Sequence, residues 1–235
     1  MGSDKTLLFA SYGLEPKHIT LETLAALKKC GVVFSHCLDG GKGDFIAKAC
    51  PNFKSLRGLS IEKTAARVKA AFSACDLVGF LTYGNPFFLN ATAVLVKRAA
   101  EAAGIKVKVL PAVSSFDAIV NLMDLNEFSR AGLRLVDASA AAAKADGLTF
   151  TPEMDTLFFV LGDLDFSSGR GAGAAFLKGL GAAYPKDHPV SIINCPTIED
   201  AEGRLVTAAV SRLKTAILKA DKVSTILVPA VRGKA

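Results

Sequence analysis

Three short loops hold the residues of this chain best suited to chemistry. They are Ser11-Tyr12-Gly13-Leu14-Glu15-Pro16, Tyr83-Gly84-Asn85-Pro86-Phe87-Phe88 and Pro111-Ala112-Val113-Ser114-Ser115, and each directly follows a short apolar run. Two of the chain's 3 tyrosines, Tyr12 and Tyr83, stand in them. A tyrosine can act as a base, but its unperturbed pKa of about 10 calls for an electropositive neighbour. Arg57 and Arg67 are the cations that could supply one. Taken singly, each loop also reads as plain punctuation: Gly-Asn-Pro makes turns, and Ser114 or Ser115 can cap the next helix. Three such loops on one rim of one sheet outline a binding cleft, because open α/β sheets bind ligands outside the carboxyl ends of their strands.

Other catalytic patterns are missing. Only Gly13 follows the first apolar run, so the Gly-x-Gly-x-x-Gly fingerprint of dinucleotide sites is not met, and there is no Walker lysine. Gly169-Arg170-Gly171-Ala172-Gly173 has no apolar strand leading into it and reads as a flexible connection. The 3 histidines are His18, His36 and His188, and no nucleophile elbow accompanies Ser114 or Cys37. His36 beside Cys37 reads as packing, since no further ligands are spaced nearby, and no metal is expected.

The elements that must position these loops alternate regularly. Apolar runs at Leu7–Ala10, Val32–Ser35, Leu77–Thr82, Val107–Leu110, Leu157–Leu161, Val190–Asn194 and Thr225–Val228 read as buried strands. A helix capped by Thr20 runs through Lys29, with Glu22 in its first turn and Gly31 just beyond. Thr92–Ala103 repeats that logic, and residues 61–73, 115–122, 172–183 and 204–219 also read as helices. The alternation predicts an α/β fold. The alanine-rich stretch Asp137–Asp155 breaks the rhythm, and a domain junction is expected between about residues 113 and 125. The expected domains are 1–113, with a parallel sheet, and 114–235, with a mixed sheet.

Composition narrows the classes. Hydrophobic residues make up 51% of the 235, which suits a filled core, yet no run approaches the roughly 20 apolar residues of a membrane span. Only a short run follows Asp4 and Lys5, so no secretory signal is expected, and a cytoplasmic location is. The opening Met-Gly-Ser-Asp-Lys-Thr also fits the loose myristoylation pattern shared by many cytosolic chains. Five cysteines without a CxxC pair fit a reducing compartment. The net charge of +6 is spread along the chain, without the concentrated basic face or aromatic platforms that nucleic acid requires.

The three loops resemble those of the tetrapyrrole methylases. Residues 6–20 are similar to that family's opening strand, its glycine loop and the Leu-Thr that starts its first helix. Tyr83-Gly84-Asn85-Pro86 stands where the family has Gly-Asp-Pro or Gly-His-Pro, and Pro111–Ser115 resembles its Pro-Gly-Ile-Ser-Ser. Within the superfamily, Val32–Ser35, Tyr184–Val190 and Ser224–Pro229 look most like the borosin-type peptide α-N-methyltransferases. Two departures stand out: Ile61 replaces that subgroup's tyrosine near Arg57, and Asn85 replaces a histidine.

The resemblance implies two α/β domains with S-adenosylmethionine (SAM) in the cleft between them, in a homodimer. It assigns Tyr83, Asn85 and Phe88 to the cofactor, with Ser114 and Ser115 at the junction and Leu161 and Thr225 on the far side. Leu14 would lie between cofactor and acceptor, and Arg57 matches the arginine of the peptide enzymes; with their tyrosine replaced, the residues themselves offer Tyr12 as the catalytic partner of Arg57. Three functions follow: methylation of the backbone amides of a separate precursor peptide, methylation of a tetrapyrrole or other small acidic molecule, or cofactor binding without catalysis.

Overall fold

A computed structural model describes residues 5–39, 44–144, 147–221 and 223–231. The myristoylation-like opening falls largely outside them. The strands are β1 (Thr6–Ser11), β2 (Val32–Ser35), β3 (Phe53–Ser55), β4 (Leu77–Thr82), β5 (Lys106–Val109), β6 (Leu133–Asp137), β7 (Asp155–Phe159), β8 (Pro189–Asn194), β9 (Arg204–Ala209) and β10 (Thr225–Val228). The helices are α1 (Leu21–Leu27), α2 (Asp44–Ala49), α3 (Ile61–Ala70), α4 (Ala91–Glu101), α5 (Ser115–Leu122), α6 (Ala138–Ala142), α7 (Gly171–Ala183) and α8 (Leu213–Ala216). The chain divides into two compact units, one of residues 1–118 with 197–201 and one of 119–196 with 202–235. Helix α5 straddles the division.

The first unit holds a parallel five-stranded sheet in the order β3-β2-β4-β1-β5. Side chains alternate across a strand, and here both faces are apolar. Leu7, Phe9, Val32, Phe34, Val78 and Phe80 face one core with α3 and α4, through Val68 and Val96 among others. Leu8, Ala10, Val33 and Leu81 face the other, against Leu27 of α1 and Ile46 of α2. Helix ends follow local chemistry. The Thr20 hydroxyl accepts from the Thr23 amide at 3.0 Å, and the Asn90 side chain, part of a glycosylation-like triplet, accepts from Ala93 at 3.0 Å.

The second unit holds a mixed sheet in the order β6-β7-β10-β8-β9. β6 and β7 run parallel, and every other neighbouring pair is antiparallel. One face buries Val136, Phe158, Val190, Ile192, Ile226 and Val228 against Phe176 and Leu180 of α7 and Leu213 of α8.

Three expectations change. The helix expected over 204–219 begins as strand β9; Gly203, at φ +65°, turns the chain back so that Arg204–Ala209 zip onto β8. That ladder overrides a weak local helix preference. Gly169–Gly173 is more than a flexible connection, since it opens α7 from Arg170. A Cβ on Gly173 would meet the Asp165 carbonyl at 2.1 Å, so that turn needs glycine. The alanine-rich stretch contains β6's end and the short helix α6, capped by Asp137 through the Ala140 amide at 2.9 Å. No helix among the described residues is long and apolar enough to cross a membrane.

Candidate active site

Because the five strands of the first sheet are parallel, their carboxyl ends share one rim. β1 and β4 are neighbours in register to their last residues, Ser11 opposite Thr82. The pairing continues beyond the strands. The Tyr12 amide donates to the Thr82 carbonyl at 3.3 Å, and the Gly84 amide donates to the Gly13 carbonyl at 2.9 Å. Gly13 and Gly84 both adopt left-handed backbone, at φ +71° and +61°. A Cβ on Gly84 would lie 4.0 Å from the Ser114 Cα, so the third loop reaches the same point. The three loops picked out in the sequence therefore meet around Gly84.

The side chains there are tied down. The Ser11 hydroxyl accepts from the Gly13 amide at 2.9 Å. Leu14 is buried, and its carbonyl accepts from the Ile198 amide at 3.0 Å. The buried Glu15 carboxylate lies 2.7 Å from the Lys17 ammonium and 3.7 Å from His18 Nε2. Asn85 is exposed and closes its own turn, accepting from the Phe87 amide at 3.0 Å through its side chain and from the Phe88 amide at 3.2 Å through its carbonyl. Tyr83 and Phe88 are half-buried.

Ser114 is the cap of α5. Its amide and hydroxyl both donate to Asp117 Oδ2 at 2.7 Å, and its hydroxyl accepts in return from the Asp117 amide at 3.3 Å. This is a capping box with aspartate in the acidic place. The hydroxyl is thus committed to the helix, and Ser115 forms the first helical residue.

The expected catalytic pair is not assembled as expected. Tyr12 is buried, its ring centroid is 6.2 Å from that of Tyr83, and its hydroxyl is hydrogen-bonded to the Cys37 thiol. Burial pushes its pKa far above the ordinary value, and Cys37, Tyr83 and Glu199 push the same way. Arg57 does not offset this, because its guanidinium engages Asp39 at 2.9 Å and Glu199 at 3.5 Å. Arg67 is exposed on α3. Among the described residues Tyr12 therefore has no electropositive neighbour of the kind a base requires, and it stays a neutral phenol at physiological pH.

Leu161 and Thr225 belong to the second unit. Leu161 is buried in its core just after β7, and Thr225 opens β10 opposite Ile193. Val160, immediately before Leu161, has φ +57°, a strained conformation for a β-branched residue. Sequence reasoning missed that strain, which has no local signature. It also missed the segment Thr197–Ala201, which returns from the second unit's strands to join the first. Ile198, like Tyr83, packs there against the apolar cluster that contains Tyr12. His36 packs as read, stacking on Phe80 with ring centroids 5.3 Å apart. Among the described residues no cluster of three potential ligands could hold a metal.

A profile of the tetrapyrrole (corrin/porphyrin) methylases matches residues 6–202. The chain belongs to that family. Its members are SAM-dependent methyltransferases, so the α/β architecture and the rim loops are those of a SAM-binding family. Among solved structures, the chain is similar to uroporphyrin-III C-methyltransferase of Thermus thermophilus, at 16% identity and TM-score 0.69, over 96% of this chain and 92% of that one. The structure of the Thermus enzyme complexed with S-adenosylhomocysteine gives 15% identity and TM-score 0.66 over 95% and 92%. A cobalt precorrin-4 methyltransferase of cobalamin biosynthesis gives 19% identity and TM-score 0.70 over 97% and 96%. At these identities the likeness concerns the fold. No curated protein matches the sequence significantly.

Proposed function

We propose that this tetrapyrrole methylase transfers the methyl group of SAM to a tetrapyrrole or a similar small acidic ring. Family membership over residues 6–202 carries the reading. The related structures are named for uroporphyrin-III and precorrin-4 as substrates, which favours a ring over a peptide. Chemistry favours it too. A backbone amide is a poor nucleophile and needs a nearby base, whereas Tyr12 is held as a neutral phenol and Ile61 stands where the peptide enzymes carry tyrosine. An electron-rich ring carbon can accept a methyl without prior deprotonation.

The rim residues fit the cofactor. At Gly84 a Cβ would meet nothing closer than 4.0 Å, and the half-buried rings of Tyr83 and Phe88 stand in the same loop, which supports room there for a flat adenosyl group. Tyr83, Asn85 and Phe88 are proposed to hold it with the start of α5 at Ser114 and Ser115, and Leu14 to face the acceptor. Leu161 and Thr225 are carried by the resemblance alone. SAM supplies a methyl already activated on a sulfonium. The protein's task is then to align the acceptor and exclude water, effects worth up to about 7–11 kcal/mol in well-oriented systems.

Titration calorimetry with SAM and S-adenosylhomocysteine, on wild type and Ser114→Trp, tests the site. Micromolar binding, lost in a folded Ser114→Trp variant, is the expected result. A folded wild type that binds neither ligand overturns the reading. Release of S-adenosylhomocysteine with reduced tetrapyrroles, and none with unstructured peptides, is expected of the acceptor; the reverse pattern restores the peptide.

A further inference from the structure

The contacts that withhold Arg57 from Tyr12 join three stretches of chain that lie far apart in sequence. β2 and β3 run parallel and end together, Ser35 opposite Ser55. Beyond them the Ser55 hydroxyl donates to the Leu38 carbonyl at 2.6 Å and accepts from the Arg57 amide at 3.2 Å. This fixes the backbone of Arg57 near Asp39, whose carboxylate accepts from Nη1 of the guanidinium at 2.9 Å. The other terminal nitrogen, Nη2, meets Glu199 at 3.5 Å. One planar fork thus serves two carboxylates, a task for which the point charge of a lysine is less suited.

Glu199 belongs to a turn that is tied to itself. The Thr197 hydroxyl accepts from the Glu199 and Asp200 amides at 3.1 Å each, and the Thr197 amide donates to the Asp200 carbonyl at 2.7 Å. That turn lies between β8 and β9 in sequence, yet Thr197–Ala201 packs with the first unit. Ile198, next to Glu199, donates its amide to the Leu14 carbonyl at 3.0 Å, and its side chain packs against the apolar cluster that contains Tyr12. Leu14 follows Gly13, whose carbonyl accepts from the Gly84 amide at 2.9 Å. The sheet order β3-β2-β4-β1 places two strands between the loop after β3 and the loop after β1. Ile198 and Glu199 therefore bridge those loops across the rim, one residue bonded to each.

We propose that Arg57 is a positioning residue of the cofactor site. By holding Glu199 it seats Ile198 on Leu14, and so keeps the contact between Gly13 and Gly84 in one arrangement. The role rests on the SAM reading of this rim and adds to it a residue that acts through others. A loop already held in its binding conformation does not have to be ordered when the ligand arrives, and affinity rises accordingly. The effect is bounded. The side chains of Arg57, Asp39 and Glu199 are 45%, 47% and 52% exposed, and exposed ion pairs are weak and screened. The Leu14 hydrogen bond and the packing of Ile198 carry the rest of the attachment.

Hydrogen exchange at the Ile198 amide and titration calorimetry with S-adenosylhomocysteine, both on the full chain, test it. Arg57→Glu and Glu199→Arg each bring like charges together, and each should speed the exchange and raise the Kd by about three- to tenfold. Both changes in one chain restore an unlike pair. The double variant should return to within about twofold of wild type in both readings, a recovery that damage to the fold would not show. Single variants that bind as tightly as wild type, whatever their exchange, overturn the role and leave the cofactor reading standing. A double variant no better than its parents does the same. A folded wild type that binds no S-adenosylhomocysteine overturns both.

Discussion

Gly13→Ala and Gly84→Ala make the same change at nearly the same backbone conformation, in two loops joined by a hydrogen bond. They should nevertheless differ in cost. An L-residue in left-handed backbone loses about 1–2 kcal/mol relative to its relaxed state. The stiffer unfolded chain returns about 0.4–1 kcal/mol of this. For Gly84 little else changes, because the new methyl meets nothing closer than the Ser114 Cα at 4.0 Å. A net loss of about 1 kcal/mol is expected. At Gly13 the methyl lands 2.4 Å from the His18 Cβ, where carbon atoms ordinarily approach to about 3.5–4 Å. The turn Pro16–His18 must move, and it is held by the His18 amide on the Glu15 carbonyl at 2.9 Å and by the Glu15 carboxylate on Lys17. Overpacking of this kind adds about 1–3 kcal/mol. Urea denaturation followed by far-UV circular dichroism reads the difference, provided the m-values agree. Midpoints that coincide for the two variants would refute the reasoning, because the loop after β1 would then yield freely and could not fix the rim's geometry.

Three further outcomes follow from the same contacts. Ser114→Ala removes the α5 cap and should cost about 1 kcal/mol in denaturant titration, with Asp117→Ala giving a similar loss because it opens the same box. His36 is held neutral by burial, so its pKa in the folded state is lowered. The unfolded chain then binds the proton first, and this contribution to stability, full above the unfolded pKa of about 6.5, is lost as pH falls below it. His36→Phe should flatten the stability profile between about pH 5 and 7 relative to wild type, and unchanged slopes would show that His36 does not carry it. Tyr12→Phe should keep turnover and leave the alkaline limb of the pH–rate profile unmoved, because the phenol stays protonated; turnover lost at unchanged SAM affinity would return Tyr12 to the role of base.

The first sheet was legible because its strands carry both their signals locally. β2 and β4 are continuous apolar runs bounded by Gly31, Asp76 and Gly84, and a strand buried on both faces must look like that. α1 and α5 announce their starts through Thr20 and Ser114, whose side chains bond amides three residues on. β9 and β6 were not legible. Each is half-exposed, with Arg204 or Arg134 in a mixed pattern, and each becomes a strand only because β8 or β7 lies alongside. A pairing partner, even one as near along the chain as β8 is to β9, leaves no mark on the strand it recruits.

The same division explains the site. The meeting of the loops at Gly84 was foreseeable, since glycine, asparagine and proline at strand ends report backbone conformations that only they tolerate well. The chemistry assigned to Tyr12 was not, because a pKa depends on what surrounds the group. Cys37 arrives from the end of β2, Glu199 and Ile198 from a segment about 185 residues further along the chain, and Arg57 is drawn away by Asp39 and that same Glu199. The residues that disqualify Tyr12 as a base are thus the ones the sequence could not place beside it. The argument also bears on the acceptor. A site that offers tightly turned glycine backbone and a Tyr12 phenol held neutral can position an acceptor that is already nucleophilic, but does not draw on Tyr12 to create one. That is the physical reason for preferring an electron-rich ring to a peptide amide.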